Sequence, residues 1–254
     1  MKMTDQYSEL FQRTEEFARL KDSVLDKRRS MLVYGEEGAG KTQLLQQLTA
    51  LSKKALYVPH CESPTDLLVG IIAALECAKV PKSDLKTSRA SLTSMKGVVQ
   101  KVLDQDNWIL VIDHVRGPSV ALGHLAKELN YYNRTPIAFA GRSEHMEDIG
   151  SFRTFCTDRM SRLELKPWPH PAALEFTRQH AAEIGLHGAN LEEALRGIAE
   201  MSKGCPGPIL KMLRMAKDPM YRHEDQIKFH VVWLDYRLRG TGAISSDRKP
   251  HAVR

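Results

Sequence analysis

The chain has 254 residues and a net charge of +6, with 42% hydrophobic and 27% charged residues. That length allows one or two domains, and the composition is that of a globular protein, which excludes a disordered tail, a collagen-like fibre and a coiled-coil rod. There is no run of about 18 apolar residues and no apolar signal core after Met1, so no membrane span and no export are expected; the expected compartment is the cytoplasm. Cys61, Cys77, Cys156 and Cys205 lack C-x-x-C spacing and are expected as reduced thiols rather than metal ligands. Much of the charge is terminal: Arg237, Arg239, Arg248, Lys249 and Arg254 are balanced only by Asp247. Such a tail either binds nucleic acid or an acidic partner, or is simply solvated.

Residues 1–29 form a lead-in, with Leu10, Phe11, Phe17, Leu20, Val24 and Leu25 at helical spacing, which predicts a helix over about 14–28. A buried strand over 30–34 runs into a glycine cluster. The helix over 41–52 has Leu44, Leu45, Leu48 and Leu51 on one face. A second strand is expected over 54–59. Ser63-Pro64-Thr65-Asp66 reads as an N-cap with proline at the first helical position, opening a helix to about 78. Residues 80–90 read as loop and 91–104 as helix. The apolar run 108–112 reads as a strand buried on both faces. A helix over 118–130, a strand over 137–140 and a last strand over 162–165 complete an alternating α/β pattern, expected to give a parallel sheet covered on both faces. After Pro167 four helices are expected, at 170–184, 190–202, 207–217 and 224–238. The expected organisation is a core over 30–166, an all-helical unit over 167–239 and a basic flexible tail over 240–254.

Residues Gly35-Glu36-Glu37-Gly38-Ala39-Gly40-Lys41-Thr42 match G-x-x-x-x-G-K-[ST], the Walker A pattern, with Gln43 following. Its context is the one the chemistry needs: an apolar strand before and an amphipathic helix after. Glycines let backbone N–H groups turn around phosphate oxygens, and the helix N-terminus adds partial positive charge. Lys41 is expected to reach the β- and γ-phosphates and the Thr42 hydroxyl to ligate Mg²⁺. Asp113, closing the run Ile109-Leu110-Val111-Ile112, is the Walker B candidate and would hold Mg²⁺ through water. His114 stands where many P-loop ATPases place a glutamate. It is either a neutral base for the attacking water or a mark of slow hydrolysis, with ATP as a switch. Arg142, after the strand 137–140, either faces the γ-phosphate or is a surface residue. There is no N-K-x-D guanine-reading motif, which favours ATP.

The stretch Leu10-Phe11-Gln12-Arg13-Thr14-Glu15-Glu16-Phe17-Ala18-Arg19-Leu20 resembles the box that precedes the P-loop in AAA+ ATPases. Together with Walker A, Walker B, the strand end at Arg142 and a helical lid, it resembles the branch holding origin-recognition initiators, transposition ATPases and STAND ATPases, over about residues 8–238. The resemblance implies a P-loop core and helical lid that bind and hydrolyse Mg-ATP. It implies homo-oligomers on ATP binding and action on DNA, or, in a STAND-like alternative, slow ATP-dependent recruitment of a protein partner. It places Phe11 and Arg13 near the adenine or the hinge, and it makes Pro206 of Gly204-Cys205-Pro206 a nucleotide contact in the lid. Lys211 or Arg214 would substitute for the sensor arginine, and Arg153, Arg159 or Arg162 would be the finger offered to a neighbour.

Overall fold

The computed structural model describes residues 11–81, 85, 91–115 and 119–240. The chain divides into two compact units, Met1–Lys166 and Pro167–Arg254. The basic tail beyond Gly240 and most of the loop expected over 80–90 lie outside the described residues.

In the first unit, β1 (Met31–Tyr34), β2 (Ala55–Val58), β3 (Ile109–Ile112), β4 (Ile137–Gly141) and β5 (Arg162–Glu164) form one sheet. Its order is β2-β3-β4-β1-β5, with every neighbouring pair parallel. The helices are α1 (Thr14–Lys21), α2 (Lys41–Leu51), α3 (Pro64–Cys77), α4 (Leu92–Gln105), α5 (Val120–Tyr132) and the short α6 (Met146–Ile149). Side chains alternate across the sheet. Leu32, Leu56, Val58, Leu110, Ile112 and Phe139 pack with Leu67, Ile71, Val99, Leu122 and Leu129 of α3, α4 and α5. Met31, Val33, Ile109, Val111, Ala138 and Ala140 pack with Leu20, Leu44, Leu45 and Leu48 of α1 and α2. Because both faces are covered, β3 has no polar position and is buried throughout.

Local chemistry sets the helix starts. The Ser63 side chain accepts from the Asp66 N–H while the Asp66 carboxylate accepts from the Ser63 N–H, a reciprocal cap with Pro64 at the first position. Ser91 and Ser119 cap α4 and α5 in one direction only, accepting from Ser94 N and Leu122 N.

The helix expected over 14–28 is α1 to Lys21, which widens into a π turn at Asp22–Asp26. Between β4 and β5, where no element was expected, α6 and 3₁₀ turns at Gly150–Phe155 and Arg159–Ser161 connect the strands. Phe152 and Phe155 from this segment close on Phe139, with ring centroids 5.3 and 6.3 Å away.

The second unit contains α7 (His170–Glu183), α8 (Leu191–Met201), α9 (Pro206–Lys217), a hairpin of β6 (Arg222–His223) and β7 (Gln226–Ile227), and α10 (Phe229–Gly240). The helix expected from 224 therefore starts at Phe229, and among the described residues of this unit the hairpin is the one departure from helices and their connecting turns. The cause is Asn190. Its amide donates to the Ile227 carbonyl at 2.9 Å and accepts from the Ile227 N–H at 2.8 Å, taking both backbone groups from a helix. Among the described residues no helix is long and apolar enough to cross a membrane.

Candidate nucleotide site

The loop between β1 and α2 takes three backbone conformations suited to glycine: φ is +149° at Gly35, +81° at Gly38 and +98° at Gly40. Gly40 opens α2 and no side chain caps that helix, so a first turn of backbone N–H groups faces the loop without a side-chain acceptor. Ala39 is buried under the loop, whereas Glu36, Glu37 and Gln43 are exposed. The Lys41 Nζ donates to the carbonyls of Gly35 (2.7 Å) and Glu36 (2.8 Å). This arrangement is a loop of backbone donors with one ammonium at its edge, suited to a polyphosphate. The half-buried Thr42 follows Lys41 in the first turn of α2.

Asp113 follows β3, at the same C-terminal edge of the sheet. β4 lies between β1 and β3, so the two strand ends are about 10 Å apart, two strand spacings. Asp113 is 1% exposed. Its Oδ1 accepts from the His114 N–H at 3.0 Å and lies 2.8 Å from His114 Nδ1. In that contact Nδ1 donates to Asp113, which leaves Nε2 for another partner. His114 has φ +57° and a half-exposed side chain. Arg142 is exposed and lies directly beside the loop: its carbonyl accepts from the Gly35 N–H at 3.3 Å. A buried carboxylate at the same sheet edge as a hydroxyl-bearing helix start is oxygen chemistry suited to a hard, hydrated divalent cation.

One residue at this edge escaped the sequence reading. Tyr57 of β2 donates its hydroxyl to Asp113 Oδ2 at 2.9 Å. Burial, with the Asp113 carboxylate, pushes the phenol up to about 12, so it remains a donor at neutral pH. Only strand pairing brings the two together: Tyr57 is in register with Val111, and Asp113 is two residues further along the same face.

The other expected site residues are dispersed. Phe11 is half-buried. Arg13 is 6% exposed and spans from Glu16 (2.8 Å) to the carbonyl of Lys166 (2.6 Å), the last residue of the first unit. Arg162 bonds Glu144 (2.7 Å) and the carbonyls of Cys156 and Thr157, so its guanidinium is not presented outward; Arg153 and Arg159 are exposed. In the second unit Gly204 has φ +77° and accepts from Trp168 N at 2.9 Å, and Pro206 starts α9. This turn stops one helix and starts the next. Lys211 and Arg214 are exposed on α9.

Solved structures resemble the chain along most of its length. Cdc6p from Pyrobaculum aerophilum is 15% identical with a TM-score of 0.63, over 85% of this chain and 63% of that one. The Aeropyrum pernix ORC1 protein, solved in complex with DNA, is 18% identical with a TM-score of 0.64, over 91% and 65%. AMPPCP-bound DnaA from Aquifex aeolicus is 14% identical with a TM-score of 0.55, over 95% and 71%. The fold is that of the initiator-type AAA+ P-loop ATPases. The helical second unit fits the lid of that AAA+ fold. The chain spans just under two thirds of the first two of these proteins. No protein-family model matches the sequence, and no curated protein matches it.

Proposed function

We propose that the chain is an ATP-binding AAA+-type ATPase in which Mg-ATP controls lid position or self-assembly, acting on DNA. The observation that carries this reading is the uncapped N-terminus of α2 behind a glycine loop, with the Lys41 ammonium on its rim. The buried Asp113 carboxylate at the same sheet edge supports it.

In this reading Gly35, Glu36, Glu37, Gly38, Ala39, Gly40, Lys41, Thr42 and Gln43 surround the phosphates. Lys41 exchanges the carbonyls of Gly35 and Glu36 for β- and γ-phosphate oxygens. The Thr42 hydroxyl and, through water, Asp113 would hold Mg²⁺, which offsets the negative charge of the triphosphate. His114 Nε2 accepts the proton of the attacking water, and Arg142 faces the γ-phosphate. Arg13, joined to Lys166 at the end of the first unit, and Pro206 of the second unit are the residues this reading expects to respond to nucleotide state. Arg153 or Arg159 serves a neighbouring copy, because Arg162 is held by Glu144. DNA as partner draws on the basic residues from Arg237 onward and on the ORC1 structure solved with DNA.

The test is steady-state phosphate release from Mg-ATP, with and without duplex DNA, for wild type and Lys41→Ala. The expected result is slow release, faster with DNA and abolished by Lys41→Ala. Tight ATP binding without release, unchanged by DNA, would replace this reading with a nucleotide-held switch that recruits a protein partner. The observation favouring that second reading is that His114 stands where many P-loop ATPases place a glutamate.

A further inference from the structure

The surroundings of Asp113 assign a task to Tyr57. A carboxylate offers about four acceptor positions, two on each oxygen. Oδ1 meets both the His114 N–H and His114 Nδ1, so its two positions are taken. Oδ2 meets the Tyr57 hydroxyl, which takes one and leaves one. The torsion that turns a carboxylate about its Cβ–Cγ bond is soft and moves Oδ1 and Oδ2 together, so the Tyr57 hydroxyl on Oδ2 holds the carboxylate plane from the side opposite the His114 contacts. Tyr57 itself is held. It is half-buried against the core on the α2 side of the sheet, and its side chain is also hydrogen-bonded by Gln46 of α2. Gln46 is one helical turn beyond Thr42, so the helix that carries Lys41 and Thr42 is linked through Gln46 and Tyr57 to Asp113.

We infer that Tyr57 is a positioning residue for the Mg²⁺ site: its hydroxyl orients Asp113 so that one lone pair of Oδ2 points to the water shell of the cation. The inference rests on the ATPase reading above, in which Asp113 holds Mg²⁺ through water. Tyr57 touches neither nucleotide nor reacting atoms.

The experiment reads binding, not turnover. A fluorescent ATP analogue is titrated into the full chain, first with EDTA and then at rising Mg²⁺, for wild type and Tyr57→Phe. Both proteins are expected to bind the analogue equally in EDTA, and Tyr57→Phe is expected to melt somewhat earlier while remaining folded at the assay temperature, because it loses a hydrogen bond to a buried carboxylate. Tyr57→Phe is expected to need about tenfold more Mg²⁺ to reach the tightened state, the usual cost of losing a partner behind a metal ligand. An unchanged Mg²⁺ midpoint overturns the inference and leaves the ATPase reading intact. Wild type that binds the analogue without responding to Mg²⁺ also overturns it, while nucleotide binding stands. Wild type that does not bind the analogue removes both. Should Tyr57→Phe be unfolded at the assay temperature, Gln46→Met at an exposed position decides: a raised midpoint supports the linkage and an unchanged one overturns it.

Discussion

The carbonyl oxygen of Leu165 occupies the space beside Gly35, 2.5 Å from where a Cβ would stand. The contact cannot relax easily, because Leu165 N donates to the Tyr34 carbonyl at 2.7 Å, at the shared end of β1 and β5. Gly35 is therefore required twice: by its φ of +149° and by this close approach. Gly35→Ala is expected to lower stability by about 1–3 kcal/mol and to weaken ATP binding, because the phosphate loop starts at the displaced residue. Urea unfolding and nucleotide titration of the same preparation check both effects.

Gly97 is the opposite case. It lies in the exposed middle of α4, and a Cβ there meets nothing within 4 Å. Gly97→Ala is expected to stabilise the protein by about 0.5–1 kcal/mol through helix propensity and a less disordered unfolded chain. A shift of the urea midpoint to lower concentration would contradict this.

His114 is expected to matter for turnover and not for binding. Its side chain is half exposed, so His114→Ala leaves the core intact. The variant is expected to bind ATP in EDTA as wild type does and, at saturating Mg²⁺, to release phosphate at least about 100-fold more slowly, the usual contribution of a positioned base. Single-turnover phosphate release separates the two effects. An equal rate in the variant would remove His114 from the chemistry and favour the switch reading.

Arg13 provides a test of the link between the lead-in and the end of the first unit. Its guanidinium is buried, so truncation leaves the Lys166 carbonyl and the Glu16 carboxylate without this donor. Arg13→Ala is expected to cost about 2–3 kcal/mol, the range for hydrogen bonds to a charged group. Arg13→Lys, with no fork to span both acceptors, is expected to recover only part of it. Denaturant melts of the three proteins give the order.

The features legible in the sequence were the ones written locally. The run Ile109–Ile112 has no polar residue because both its faces are covered, and Ser63-Pro64-Thr65-Asp66 carries its own cap. The glycine loop is contiguous, so its place between β1 and α2 was readable from spacing alone. The strand order was not legible, because parallel pairing joins residues far apart in the chain, such as Leu110 with Ile137 and Leu32 with Arg162. The same holds at the site, where Tyr57 meets Asp113 across 56 positions. Phe152 and Phe155 lie in short turns without helical or strand periodicity, so their place in the core had no signal. Arg162 read as available because its partner Glu144 comes from a different loop.

The second unit provides a test by pH. Tyr221, buried beneath α10, donates its hydroxyl to Asp235, which also pairs with Arg239 at 2.8 Å. The Tyr221 hydrogen bond, followed by Arg239, holds the Asp235 carboxyl below its usual range. A group with a depressed value in the folded state favours folding when ionised. Its contribution is complete above the ordinary aspartate value, near about 3.9, and is lost as pH falls through the lower folded value. Tyr221→Phe removes the main cause of the depression. The variant is therefore expected to melt at a lower temperature than wild type at neutral pH. The gap is expected to narrow as the solution is acidified below the carboxylate range, because protonated Asp235 no longer rewards the hydroxyl as an anion does. Melting curves of both proteins from neutral pH down to about pH 3 measure the gap. A constant gap across that range would mean that Tyr221 contributes by packing alone.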